Sequence, residues 1–194
     1  MNDLTQYYSV RHLLRAGDVI VFYGAGLLDK LIEVASEGPG HSAVVRWGAM
    51  AAADVVVEES TINGKRNGVQ HNPLGWELAG YPVGSSAAAL LLSDAVRAQM
   101  NLEAFYAYIG QIDGILRYDI PGLFKFLLPQ AFDRIEPTKE MVCSVTVGAI
   151  LAKCGAIRNV NWGRMRPQDL VELGIYKTFV PLLGEPKLHN FNTI

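Results

Sequence analysis

Glu140-Met141-Val142-Cys143-Ser144-Val145-Thr146-Val147-Gly148-Ala149-Ile150-Leu151 is the stretch on which the reading of this chain turns. Lys139 and Glu140 give way abruptly to an apolar run whose members at 142, 146, 149, 150, 153 and 154 fall on helical spacing. A buried helix opening close to Cys143 is therefore predicted. Such a start sets a thiol among unpaired backbone N–H groups at the positive end of the helix dipole. There a thiolate is favoured over a thiol, and an oxyanion forming beside it is stabilised. Most free cysteines are only small apolar packing residues, so the weight given to Cys143 depends on what the rest of the chain brings to it.

The same helix would carry Cys154 in its last turn before Gly155, a natural stop. Eleven residues of helix separate the two sulfurs by roughly 16 Å along the axis, whereas a disulfide needs Cα atoms within about 7 Å. Both are read as free thiols, Cys154 as a packing residue. Cys and His show no CxxC, HxxxH or HExxH spacing, so neither a metal site nor a cofactor is expected.

Upstream, Gly17-Asp18 turns into Val19-Ile20-Val21-Phe22-Tyr23, read as a largely buried strand. Gly24-Ala25-Gly26 and an amphipathic helix over 27–35 follow. That order imitates a dinucleotide-binding turn, but Asp29 holds the third glycine position and would repel a pyrophosphate. After Gly38-Pro39-Gly40 comes the strand His41–Trp47, with the histidine at its mouth. The next strand, 54–61, ends in Glu58-Glu59-Ser60-Thr61. The turn signals Asn63-Gly64 and Asn67-Gly68 lead on to Val69–Pro73. Antiparallel pairing would lay Glu58 or Glu59 beside His41, and only one of them, since successive side chains alternate faces. A thiol, an imidazole to deprotonate it and a carboxylate to orient the imidazole make up the machinery of acyl transfer through a thioester.

These pieces carry a family resemblance. Gly17-Asp18-Val19-Ile20-Val21-Phe22, His41-Ser42-Ala43-Val44-Val45, Glu58-Glu59-Ser60-Thr61, Gly68-Val69, Pro73-Leu74, Tyr118-Asp119, Cys143-Ser144 and Arg166-Pro167-Gln168-Asp169-Leu170, in that order, resemble the permuted NlpC/P60 papain-like hydrolases, the group that includes YiiX/YaeF-like proteins. The resemblance implies an α+β, circularly permuted papain-like fold, with the nucleophile helix packed on an antiparallel sheet. It implies Cys143 as nucleophile, His41 as base and Glu59, the acid before Ser-Thr, as orienting residue. Glu58 competes with Glu59, and Tyr23, Tyr118 and Ser144 are candidates for the surrounding shell. The chain departs from the family pattern in having Val142 where an aromatic residue usually precedes the nucleophile, and Val145-Thr146 where a glutamate usually follows.

The remaining readings are broader. With 194 residues, 50% hydrophobic, 19% charged and a net charge of -2, the chain reads as one domain spanning 1–194 without general affinity for nucleic acid. Its longest apolar run, Ala87–Leu92, is far short of a transmembrane segment, and the first residues lack the pattern of a signal peptide. A cytoplasmic location is the default expectation, with export by another route or incorporation into a virus particle as alternatives. Residues 1–16 read as a polar lead with His12 and Arg15 facing water. Ser93–Gly110 reads as one helix, and 120–129 as core packing, with a lid or acyl-chain surface as the alternative. A short helix is expected over Pro167–Leu173, and the tail 181–194 reads as an arm onto a protein partner. The expected function is that of a cysteine amidase or peptidase acting on peptide-like substrates, with peptide or isopeptide bonds of cell-wall peptidoglycan implied by the resemblance. A lipid-directed thioesterase or acyltransferase working on an acylated substrate, and a virion or assembly protein that keeps the fold, are the alternatives.

Overall fold

A computed structural model describes residues 2–24, 38–50, 53–62, 67–119 and 140–191. The helix expected over 27–35, the turn at Asn63-Gly64 and the apolar segment 120–129 lie outside these residues. Six strands form one antiparallel sheet: β1 (Val19–Tyr23), β2 (His41–Trp47), β3 (Val56–Thr61), β4 (Gly68–Pro73), β5 (Ser86–Leu92) and β8 (Tyr176–Leu183). Their order is β4-β3-β2-β1-β5-β8. Two-residue strands β6 (Arg117–Tyr118) and β7 (Glu140–Met141) pair in parallel beside it. No helix among the described residues is long and apolar enough to cross a membrane.

The sheet is buried on both faces, which is why β1 and β5 read as continuous apolar runs and not as alternating ones. On one face Ile20, Phe22, Ala43, Val45, Val57 and Ala89 pack against Tyr7, Leu74 and Leu78. The last three come from α1 (Thr5–Val10) and α2 (Leu74–Gly80). On the other face Val19, Val21, Val44, Val69 and Leu90 meet Phe105, Ile109, Val147 and Ile150. Those side chains come from α4 (Leu102–Ile112) and α5 (Cys143–Lys153). Each large aliphatic side chain fully buried in this way contributes about 1.5–3 kcal/mol.

Helix α5 opens at Cys143 and gives way at Gly155, whose φ is +79°. Every residue from Cys143 to Leu151 is buried. It sits close to its neighbours because position 148 has no side chain: a Cβ there would lie 2.6 Å from the Met165 sulfur. At Gly68 both conditions apply, since φ is +135° and a Cβ would meet the Leu116 carbonyl oxygen at 2.0 Å.

Three expectations need correction. Residues 1–16 are not merely a polar lead: His12 and Arg15 are exposed, but Tyr7 and Leu14 are core residues, and the Tyr7 hydroxyl bonds Asp54. The single helix over 93–110 is two, α3 (Asp94–Gln99) and α4. Asn101 interrupts them by accepting the Ala104 N–H as an N-cap and donating its own N–H to the Cys154 carbonyl. The tail does not begin at Pro181, because β8 runs through to Leu183 on the edge of the sheet, where a proline costs no ladder bond. Beyond it Phe191 packs against Tyr176 and Phe179, and the His189 carbonyl accepts from Gln168, so the described tail folds back on its own chain. The expected short helix is α6 (Pro167–Val171), with Arg166 and Asp169 closing a capping box.

Asp18, fully buried, clamps the start of β1. It accepts the N–H groups of Arg15 (2.8 Å) and Leu92 (2.9 Å) and pairs with Arg97 at 2.5 Å. Asp18→Ala is expected to lower the free energy of unfolding by about 2–4 kcal/mol, because two backbone donors and a half-buried guanidinium lose their acceptor. Asp94→Ala, which breaks the exposed pair with Lys177, should cost under about 1 kcal/mol. Urea unfolding midpoints of the two variants check the contrast.

Candidate active site

The residues singled out by sequence converge at the mouth of β2. Ala43 stands opposite Glu59 across the β2–β3 pair, so Glu59 shares a face with His41, two residues before Ala43. The Glu59 Oε2 and His41 Nε2 atoms are 2.6 Å apart. Glu58, opposite Val44, points to the other face. The geometry thus separates the two acids: Glu59 meets the imidazole and Glu58 does not.

Cys143 reaches the same histidine from the start of α5. The thiol and the imidazole lie close enough to shift each other's titration, and Ser42, next to His41 in β2, also bears on the sulfur. With Nε2 taken by Glu59, Nδ1 is the ring nitrogen left for the thiol. A tether through β3 places this helix end, because the Ser60 hydroxyl donates to the Met141 carbonyl at 2.6 Å inside the core. The Phe22 ring lies 5.5 Å from the imidazole and is stacked on Tyr81 at 4.9 Å, walling the histidine on its sheet side.

The electrostatics follow from burial and charge together. Burial by itself pushes the imidazole pKa down, yet the sulfur and the Glu59 carboxylate outweigh it and hold His41 well above its ordinary value. Burial pushes the Cys143 thiol up, and His41 with Ser42 more than reverses that. Burial also raises the Glu59 carboxyl, but bonds from His41, Asn72 and Glu77 bring it below the usual range. The directions of these shifts favour a thiolate–imidazolium pair backed by a carboxylate. Such a pair can attack an acyl carbon and then hand a proton to a leaving group. The first N–H groups of α5 have no intrahelical acceptor, which leaves donors at the helix end that carries the thiol.

The surrounding candidates divide. Ser144 is fully buried and its hydroxyl donates to the Met165 carbonyl at 2.5 Å, which fixes the loop against α5. Tyr118 packs on Met141, Val142 and Val145, placing an aromatic ring beside the residue that precedes Cys143. Tyr23 ends β1 opposite Ser86 and packs against the α5-side core. Cys154 is buried, and both cysteines are free. Two contributors escaped the sequence reading. Asn72 donates to Glu59 Oε1 at 2.8 Å, and the Glu77 carboxyl of α2 lies near enough to the same carboxylate to shift it. Their signal existed only in register: Gln70 faces Glu59, so Asn72 shares its face.

On the opposite face Glu58, His71 and Asp113 lie within 4.8 Å of one another, a spacing that metal ligands adopt among the described residues. A cation is already at their centre. Arg46 Nη1 is 2.9 Å from Glu58, 2.6 Å from Asp113 and 3.3 Å from His71 Nδ1. These residues do not fit a metal ion while the guanidinium stands there, and they form a structural charge cluster.

No protein-family model matches the chain, and no curated protein matches it. Among solved structures it is similar to the metalloprotein YiiX from Escherichia coli O157:H7. The TM-score is 0.51 at 16% sequence identity, over 75% of this chain and 68% of that one. At that identity the likeness is one of fold: an α+β chain built on an antiparallel sheet, in the manner of YiiX.

Proposed function

We propose that this protein is a cysteine hydrolase of permuted papain-like type, with Cys143 as nucleophile, His41 as general base and acid, and Glu59 as orienting carboxylate. The observation that carries the reading is the two-sided engagement of one imidazole. Nε2 is held by an almost fully buried carboxylate at 2.6 Å, and the other side faces a thiol at the start of an eleven-residue helix. A structural histidine has no need of both partners.

In the proposed reaction the Cys143 thiolate adds to an amide carbonyl carbon, and the oxyanion is met by N–H groups at the α5 start. The C–N bond breaks as imidazolium His41 gives its proton to the departing nitrogen, leaving an acyl-thioester. A water molecule, deprotonated by His41, then adds to the thioester, and the acid departs as the sulfur is released. Glu59 keeps the ring oriented and its positive charge compensated throughout. The proposed steps use no metal, and among the described residues the cluster with ligand spacing is filled by Arg46. Peptide or isopeptide bonds of peptidoglycan are the proposed substrate. That choice is supported by the resemblance of Gly17-Asp18, His41-Ser42, Glu59-Ser60-Thr61 and Cys143-Ser144 to the permuted NlpC/P60 hydrolases.

Iodoacetamide at pH 6.5 should alkylate Cys143 and leave Cys154 untouched, as mass spectrometry of the digested protein would show. In His41→Ala the Cys143 rate at that pH should fall up to about 100-fold, because an unassisted thiol of pKa about 8.5 is only about 1% thiolate there. Slow labelling indifferent to the histidine would instead support an assembly protein that keeps the fold. For turnover, cell-wall fragments and acyl esters are compared side by side. Glu59→Gln should reduce cleavage roughly 10²–10⁴-fold, while Glu58→Gln stays within a few-fold. Cleavage of the esters alone would replace the amidase with a thioesterase or acyltransferase. The sign of the pH dependence is set by the shifted groups: activity should rise as the lowered Cys143 thiol ionises and fall only above the raised His41 pKa, where the proton for the leaving group is lost.

A further inference from the structure

Glu77 occupies the first turn of α2, 5% exposed, and its carboxyl lies close enough to that of Glu59 for the two to act on each other. Two ionised carboxylates so placed would only repel one another, because each can accept a hydrogen bond and neither can donate one. A proton held by one of the pair relieves that repulsion, and the surroundings favour one of them. Glu59 faces His41 at 2.6 Å and receives the Asn72 amide at 2.8 Å. Glu77 faces the Glu59 charge from β3; the positive charge of His41, from β2, bears on it less strongly, and Asn72 of β4 is its other polar neighbour. Its Oε1 atom is buried without a hydrogen-bond partner. That is tolerable for the carbonyl oxygen of a neutral acid and far more costly for half of a carboxylate.

We infer that Glu77 is a positioning residue for the His41 site: a carboxylic acid that keeps its proton and donates it to Glu59, so that Glu59 remains the anion against the imidazole. The role rests on the reading of Cys143, His41 and Glu59 as the reacting set. Glu77 touches neither the sulfur nor a substrate and acts through Glu59. Its own carboxyl is pushed up to about 8 by burial first and by the Glu59 charge next, so it is neutral in the range where the thiolate–imidazolium pair forms. The backbone holds it in place from outside the site, since Asp54 Oδ2 accepts the Gly75 N–H at 3.0 Å and ties the start of α2 to the α1 side of the sheet.

Carboxyl ¹³C NMR of the wild-type protein labelled at glutamate provides a direct test. A carboxyl signal titrating near pH 8 should disappear in Glu77→Gln. Glu58, raised by burial to a similar value, is identified separately with Glu58→Gln. A Glu77 signal titrating in the ordinary range near 4.3 would overturn the inference. The second measurement is the pH profile of Cys143 alkylation by iodoacetamide, which requires no substrate. In Glu77→Leu the acid limb should move up by about one pH unit, slowing the reaction about tenfold on that limb, because Glu59 loses a donor and takes up a proton more readily. Glu77→Gln keeps a donor and should restore the wild-type limb within about twofold. A Leu variant without a shift, or a Gln variant that behaves like Leu, would refute the role of Glu77 while the His41→Ala response left the site reading intact. A Cys143 rate indifferent to His41→Ala would refute the site reading itself.

Discussion

The register that sets Ala43 opposite Glu59 across β2 and β3 governs everything around the imidazole. Because side chains alternate, it sends Glu59 to the face of His41, and Glu58 and Ser60 to the face of α5. A slip of one residue would turn Glu58 toward the histidine, Glu59 toward Arg46 and Ser60 away from the Met141 carbonyl. Three networks would fail together. The register is secured by core pairs on the same strands, Val45 with Val57 and Val44 beside Glu58, and the irregularity between Val45 and Trp47 falls beyond the site. One strand pairing therefore positions the carboxylate directly and, through Ser60, the start of the helix that carries the thiol.

Burial alone would neutralise each ionisable group at this site, and their mutual contact is what opposes it. The thiol, imidazole and carboxyl each suffer desolvation, yet a negative, positive, negative sequence of charges compensates them locally. Asn72 extends the sequence by donating to the far side of Glu59, where the Glu77 carboxyl also bears on it. This pattern, pKa values pushed apart within one cluster, is the electrostatic form that acid–base chemistry requires.

The same two strands carry a second charged cluster on their other face, and the comparison is instructive. Arg46, stacked over Trp47 at 4.3 Å, is the shared cation for Glu58, Asp113 and His71, and it joins β2, β3, β4 and the end of α4. A permanently charged guanidinium holds elements together, and it has no proton to give at neutral pH. Across the sheet the imidazole takes the corresponding place, and it can exchange its proton. Adjacent glutamates thus find opposite uses according to which cation their face presents.

Much of this was legible in the chain itself. The apolar spacing after Glu140 determined a buried helix opening at Cys143, Gly155 determined its end, and the β-rich runs at 19–23, 41–47 and 69–73 determined strands, because local periodicity and turn chemistry act within a few residues. The doubled acid at 58 and 59 marked a contact with His41 but could not say which member made it, since a pattern of period two is unchanged by a one-residue slip until the partner strand is placed. Pairing across the sheet decided that. It also decided that Asn72 and Glu77, which carry no motif of their own, would stand behind Glu59. Asn101 divided one apparent helix into two because its side chain could cap a new one while its N–H was taken by Cys154. The tail joined the edge of β5 because that strand offered unpaired ladder groups. Local sequence set the elements, and only long-range hydrogen bonding and burial chose their partners and the charges that those partners could sustain.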